Sequence, residues 1–244
     1  VSLVPYVHVD TALTDRTTDE RIALTDAESH HLRRVLRLPE GADVEVADGI
    51  GNHAAARLDG DDLVLSGDVA HRPADHPELW VAQALPKGRK LEEVLRQVTE
   101  LGADGIVVVA AQRSIPRLDA SKVARARQRW AGIVRAASEQ ARRPRRPSIT
   151  GPVAAADLAD EPGRLVVAAP GWRALPEVLA EHATAQRVTL AIGPEGGWSD
   201  DEVARFLDAG AALAGLGPTV LRTEHAAAAA LAVAVAGLGR WSST

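Results

Sequence analysis

The chain has 244 residues, 46% of them hydrophobic and 25% charged, with a formal net charge of −5 and no cysteine. That balance belongs to globular domains, one large or two smaller, and not to a disordered chain; without cysteine there are no disulfides, thiolate metal sites or cysteine nucleophiles. The longest apolar run, Ala226 to Leu238, is 13 residues, short of the ~20 that span a bilayer, and no signal-peptide pattern opens the chain, so a cytoplasmic protein is expected.

Residues 1–72 are expected to form a small β-rich domain with one helix. In "TDAESHHLRRVLRL" Thr25 and Glu28 make a capping box, and Leu32, Val35, Leu36 and Leu38 follow helical spacing. The runs "DVEVADG", "HAAARLDG" and "DLVLSGDVA", ended by Asp48-Gly49 and Asp59-Gly60, predict the hairpins of a small barrel. A linker is expected at 73–78, inside "HRPADHPE".

From residue 79 to 244 strands and helices alternate. Strands are predicted at "LWVAQAL", "GIVVVAA", "RLVVAA", "RVTLAI" and "AALAGLG"; helices at "KLEEVLRQVTELG", Ala120–Arg142, 174–183, Ser199–Ala209 and 224–239. Wholly apolar strands separated by helices imply an α/β fold with a mostly parallel sheet covered on both faces.

Charge is unevenly spread. Residues 1–72 hold 7 Lys and Arg against 14 Asp and Glu, whereas residues 87–146 hold 15 against 6 and include "ARRPRRP". A basic middle inside an acidic protein is either a polyanion footprint or a solvated basic helix and loop. Aromatic residues are 3% of the chain, too few for a stacking platform on single-stranded RNA. His30 and His31 are adjacent, diverge on a helix and have no partner at ligand spacing, so no metal site is expected.

The stretch "AIGPEGGWSDDE" joins an apolar strand to a helix through a glycine-rich loop, the usual setting for a phosphate. Here Ser199 and Glu202 form a second capping box, and Asp200 and Asp201 place negative charge where the phosphate would sit. No Lys-Ser/Thr follows the glycines, and the nicotinamide fingerprint is absent. The loop therefore suits a neutral or cationic ligand lying against bare backbone. "AGLGPTVLRTEHAAAAAL" repeats the strand–Gly-Pro–helix arrangement, with Arg222 and Glu224 at its mouth. Were the two strands neighbours, their loops would face one crevice.

Five blocks, "LPKGRKLEEVLRQVTELG", "RSIP", "RWAGIVRAASEQARRPRRP", "IGPEGGWSDDE" and "LGPTVLRTEHA", in this order and spacing, resemble the ribosomal RNA small subunit methyltransferase E family of the SPOUT superfamily. The resemblance covers nearly the whole chain. It implies an N-terminal PUA-like barrel, a C-terminal domain with a deep trefoil knot, a homodimer, and S-adenosylmethionine as cofactor. The implied activity is methylation of uracil N3 in 16S ribosomal RNA, the alternatives being another RNA site on the same fold or a non-catalytic RNA-binding or ribosome-assembly factor.

By the same resemblance the cofactor is held by Gly193, Glu195, Gly196 and Gly197 on one side and Leu216, Gly217, Val220, Leu221 and Arg222 on the other, with Ala169 and Pro170 as a third edge. Arg222 is the expected cation for charge developing on the uracil carbonyls, and Glu224 and Glu195 are the candidate bases. His30, Arg33, Arg34, Arg113, Arg129, Gln140, Arg142, Arg143, Arg145 and Arg146 are the candidate RNA contacts. The chain departs from the family at His225, where a threonine is usual.

Overall fold

The computed structural model describes residues 4–115 and 119–241; Pro116, the last residue of the "RSIP" block, lies outside them. The chain forms two compact units, one of Val1–Ala74 with Ser138–Arg146, the other of Asp75–Ala137 with Pro147–Thr244.

The first unit holds β1 (Tyr6–His8), β2 (Arg21–Ala23), α1 (Asp26–His30), β3 (Asp43–Ala47), β4 (Asn52–Asp59), β5 (Asp62–Leu65) and β6 (Ala70–His71). Its sheet runs β1-β3-β4-β5-β2 with β6 on β4; β1 and β3 are parallel and the other pairs antiparallel. Alternation along β4 buries Ala54, Ala56 and Leu58 against Val7, Ile22, Val44, Val46, Leu63 and Leu65.

The Thr25 capping box forms as the sequence predicts, and the second Glu28 oxygen accepts the Asp10 N–H at 2.8 Å. The apolar face behind it does not extend as expected. After His30 the chain widens into a π-helical turn over His31–Val35, in which the Leu36 N–H donates to the His31 carbonyl at 2.9 Å. The wider turn breaks the i, i+3, i+4 alignment, so Leu32 is buried while Val35 and Leu36 are 59% and 40% exposed.

The basic run is built into this unit. Gly51 N–H donates to the Pro144 carbonyl at 3.0 Å and Arg146 N–H to the Gly49 carbonyl at 2.8 Å. His8 N–H donates to Glu139 at 3.0 Å, and the His8 ring bonds the Arg143 carbonyl at 2.8 Å. Arg142 donates to the Val4 carbonyl at 2.8 Å, pairs with Glu45, and lies 5.2 Å over the Tyr6 ring.

The second unit comprises β7 (Glu78–Ala84), α2 (Lys90–Glu100), β8 (Gly105–Ala110), most of α3 (Ala120–Gln140), β9 (Ser148–Ala154), a 3₁₀ turn (Ala155–Asp160), β10 (Arg164–Ala168), α4 (Leu175–Ala180), β11 (Arg187–Ile192), α5 (Asp200–Asp208), β12 (Ala212–Ala214) and α6 (Thr223–Gly237). The sheet order is β12-β10-β11-β7-β8-β9, parallel throughout. Both faces are covered: one core includes α2, α4 and α6, the other Trp198, Phe206 of α5 and the 3₁₀ turn.

Strand β9 escapes the hydrophobic pattern because Gly151-Pro152 interrupts it. It lies at the sheet edge, where proline is tolerated, and its register shifts between Val107 and Val109 of β8. Gly151 has φ +102°, and a Cβ there would lie 2.2 Å from the Val108 carbonyl oxygen, so only glycine fits.

Strands β11 and β12 are not neighbours: β10 lies between them. Three parallel strand ends, not two, therefore present their loops along one edge of the sheet.

Past α6, Arg240 ties the chain end to the beginnings of β7 and β8. Its side chain, 6% exposed, donates to Asp104 at 2.6 and 3.2 Å and to Asp75 at 3.0 Å. Asp104 in turn accepts the Leu79 N–H at 2.8 Å. Arg240→Ala leaves the partly buried Asp104 carboxylate without its cation, and urea unfolding is expected to show a loss of about 1–3 kcal/mol.

Candidate functional site

The site sits at the ends of β10, β11 and β12. At the β10 end the Ala169 N–H donates to the Ala214 carbonyl at 2.9 Å, with the exposed Pro170 following. At the β12 end Gly215 donates to the Arg173 carbonyl at 2.7 Å and accepts the Leu175 N–H at 3.0 Å. These bonds fix the bases of two loops side by side. Leu216 lines a cavity of about 10 Å³ beneath them, with Ala168 and Ile192 from β10 and β11. Leu216 and Leu221 are partly buried against the core, Gly217 is exposed, and Val220 is 89% exposed.

In the glycine loop the Gly197 N–H donates to the Pro194 carbonyl at 2.8 Å, and Gly197 takes φ +69°. A Cβ on Gly193 would lie 3.3 Å from Trp198 Nε1, and one on Gly196 3.3 Å from Arg113 Cβ. Two of the glycines thus answer close neighbours and one answers a backbone shape. The helix behind the loop is capped as predicted: Ser199 Oγ accepts the Glu202 N–H at 3.2 Å, and Glu202 accepts the Ser199 N–H at 2.8 Å. Asp200 and Asp201 remain exposed in the first turn of α5.

Two pins join this loop to the start of α6. Thr223 Oγ1 donates to the Gly193 carbonyl at 2.8 Å and accepts from Gln83 Nε2 at 3.0 Å. Gln83 is wholly buried in β7. The second pin is charged. Lys90 Nζ is 3.3 Å from Glu195 Oε1 and 3.2 Å from Glu224 Oε2, and Glu195 also accepts the Lys87 N–H at 3.1 Å.

Burial works against the charge on Glu224, but its own backbone N–H and the Lys90 ammonium outweigh it and hold the carboxyl below the usual carboxylate range. Glu195 follows the same pattern, with burial opposed by its own and the Lys87 backbone N–H and by Lys90. Lys90 is pushed up, first by its bond to Glu224 and also by Glu195, against desolvation. Both candidate bases are thus tied-up carboxylates. Arg222, the N-cap of α6, is exposed; its carbonyl accepts the His225 and Ala226 N–H groups at 2.9 Å, and its guanidinium has no hydrogen-bond or ion-pair partner among the described residues. His225 is also exposed.

The candidate RNA contacts fall into both units, and several are engaged within them. In the second unit Arg113 donates to the carbonyls of Gly196 and Trp198 at 3.1 and 3.0 Å, and Arg129 pairs with Glu92. In the first unit Arg33 pairs with Glu40 at 2.7 Å and Arg145 donates to the Ile50 carbonyl, while Arg142 and the backbones of Arg143 and Arg146 hold the seam described above. His30, Arg34 and Gln140 are exposed.

Lys90 and Gln83 are absent from the sequence-derived site. Gln83 had a legible signal, a lone amide inside the apolar strand "LWVAQAL".

A family model described as an RNA methyltransferase domain matches residues 74–235, and one described as an RNA methyltransferase PUA domain matches 24–65. The chain is 34% identical over 234 residues to the ribosomal RNA small subunit methyltransferase E of Mycobacterium bovis, covering 91% of this chain and 89% of that one. To the protein of the same name from Bacillus subtilis it is 30% identical over 219 residues, with 84% and 85% covered. A Legionella pneumophila methyltransferase, solved with SAM bound, superposes with a TM-score of 0.85 at 26% identity, covering 96% of this chain and 98% of that one. The chain belongs to the ribosomal RNA small subunit methyltransferase E family.

Thr223→Val removes the donor to Gly193 and a partner of the buried Gln83 amide. It is expected to cost about 1–3 kcal/mol in urea unfolding and to speed amide exchange over residues 193–198. Thr223→Ser keeps the oxygen and is expected to retain wild-type exchange.

Proposed function

We propose that the chain transfers the methyl group of S-adenosylmethionine to uracil N3 of one uridine in 16S ribosomal RNA. The observation that carries this reading is the acid-fenced glycine loop pinned beside two other strand ends, in a chain of this family. Trp198 Nε1, beside Gly193, and Gln83 Oε1 are buried without a hydrogen-bond partner among the described residues. An orphaned donor and acceptor around bare backbone fit a neutral hydrogen-bonding body such as adenosine, and the nearby carboxylates fit a cation in place of a phosphate. When bound, the cofactor supplies an electrophilic methyl group on a sulfonium.

Gly193, Glu195, Gly196 and Gly197 would hold one side of the cofactor, and Leu216, Gly217, Val220, Leu221 and Arg222 the other, with Ala169 and Pro170 between. Uracil N3 carries its proton at neutral pH and attacks poorly until it is lost. Glu195 and Glu224 are bound to Lys90 and therefore weak bases. Arg222 has its guanidinium uncommitted. In this reading it stabilises the charge that grows on a uracil carbonyl oxygen as the N3 proton leaves to solvent; alignment of the two reactants supplies further rate.

The same reading includes a homodimer, a cytoplasmic location, a PUA-like barrel and a trefoil knot. Two connections that skip over strands, β9 to β10 and β11 to β12, favour the knot. The apolar residues of α6 do not argue for a dimer, since Ala227, Ala230, Leu231 and Ala234 are buried in the unit's own core; exposed Trp172 and Val220 do. RNA contact in this reading falls to the exposed His30, Arg34 and Gln140 together with those arginine heads that keep solvent access.

The test is mass mapping of methylated uridines in small-subunit RNA from cells with and without the protein. Loss of one N3-methyluridine is expected, and an unchanged map overturns the assignment. With purified protein, Arg222→Ala is expected to lower kcat about 100-fold and, by calorimetry, to weaken cofactor affinity much less; the reverse pattern removes Arg222 from the chemistry.

A further inference from the structure

Lys90 has no part in the methyl transfer just described, yet it is the charge on which both candidate bases converge. Glu195 comes from the β11–α5 loop and Glu224 from the first turn of α6, and Lys90 Nζ lies 3.3 and 3.2 Å from them. The Glu224 side chain is 7% exposed, that of Glu195 28% and that of Lys90 34%, so one carboxylate is buried while the ammonium and the other keep partial access to solvent. Without the ammonium, two carboxylates would face each other across one cation's width, pushing the glycine loop away from α6.

The other groups around the trio do not replace it. Lys87 contributes its backbone N–H to Glu195, Arg113 is committed to the Gly196 and Trp198 carbonyls, and Arg222 is exposed. His225 lies next to Glu224 in the chain and is exposed, and Gln83 and Thr223 are neutral.

We propose that Lys90 is a positioning residue for the cofactor: by neutralising Glu195 and Glu224 together, it keeps the glycine loop and the start of α6 at the spacing that admits S-adenosylmethionine. This rests on the cofactor assignment above. Lys90 acts through the two carboxylates and touches no reacting atom.

Calorimetric titration with S-adenosylmethionine between pH 5 and 8.5 tests it on wild type, Lys90→Met, Lys90→Arg and the double variant Lys90→Met/Glu224→Gln. The wild-type carboxylates stay ionised across this range, so its affinity is expected to be nearly flat. In Lys90→Met the like-charged pair loses its cation, and burial and repulsion raise its pKa. Affinity is then expected to fall at least about ten-fold at pH 8 and to recover as acid neutralises one carboxylate. Lys90→Arg is expected to stay near wild type, and Glu224→Gln to restore the Met variant at pH 8. His225 also acts on Glu224, so the series is repeated with His225→Asn, and acid recovery that disappears with the imidazole overturns the proposal.

A Met variant equal to wild type at pH 8, or weakened equally at every pH and not rescued by Glu224→Gln, overturns the proposal. Amide exchange over residues 193–198, read without cofactor, separates the two ideas. If wild type binds no cofactor but Lys90→Met loosens this loop at pH 8 and tightens at pH 5, the loop-holding role stands and the cofactor reading falls. If exchange does not change with pH either, the role falls with it.

Discussion

The site depends on how two chain segments far apart in sequence are held at one edge of a parallel sheet. The segments are the glycine loop after β11 and the first turn of α6. A neutral relay, Gln83 to Thr223 to the Gly193 carbonyl, fixes them at the base, and the Lys90 bridge between Glu195 and Glu224 fixes them nearer solvent. The relay is buried and short, so it defines distance. The ion pair is partly exposed and collects charge from both sides, so it keeps the two acids from separating the walls. Neither device is useful without β10, whose end lies between β11 and β12 and supplies the floor.

This arrangement also decides what the acids do. A carboxylate in a candidate methyltransferase site invites a general-base role, and the residue types alone leave that open for Glu195 and Glu224. Each is instead ion-paired with Lys90 and held below its usual range, which makes it a poor proton acceptor at neutral pH. Among the described residues the Arg222 guanidinium, at the start of α6, has no ion-pair partner. Division of labour follows from neighbours, since the same carboxylate with a free face would be a base.

What the sequence discloses and what it hides divide by range of interaction. Both capping boxes, Thr25 with Glu28 and Ser199 with Glu202, are readable because cap and partner lie three residues apart. The strands of unbroken apolar residues are readable for the same local reason. The order of those strands is not, because pairing is a long-range choice, and β10 comes to lie between β11 and β12 without any local sign. Strand β9 is hidden by Gly151-Pro152, and the π turn after His30 by a spacing that looks helical until one hydrogen bond lengthens. Lys90 lies 105 residues from Glu195, and Gln83 140 from Thr223. Of the two, only Gln83 advertised itself, as a polar side chain where the strand had no other reason for one.

The basic run shows why counting charge is weaker evidence than locating it. Fifteen Lys and Arg in residues 87–146 make a polyanion footprint a natural inference, yet Arg142, Arg145, Arg113 and Arg129 have their guanidinium groups bound within their own units. Arg142 spans a carbonyl, a carboxylate and an aromatic face; Arg113 holds two carbonyls of the glycine loop. An arginine that satisfies backbone carbonyls is doing the work of a strut, and releasing it to bind a phosphate would cost the strut. The Arg113 side chain therefore belongs with Gln83 and Lys90, as a third support that brings a distant segment to the loop and fixes the shape its glycines allow.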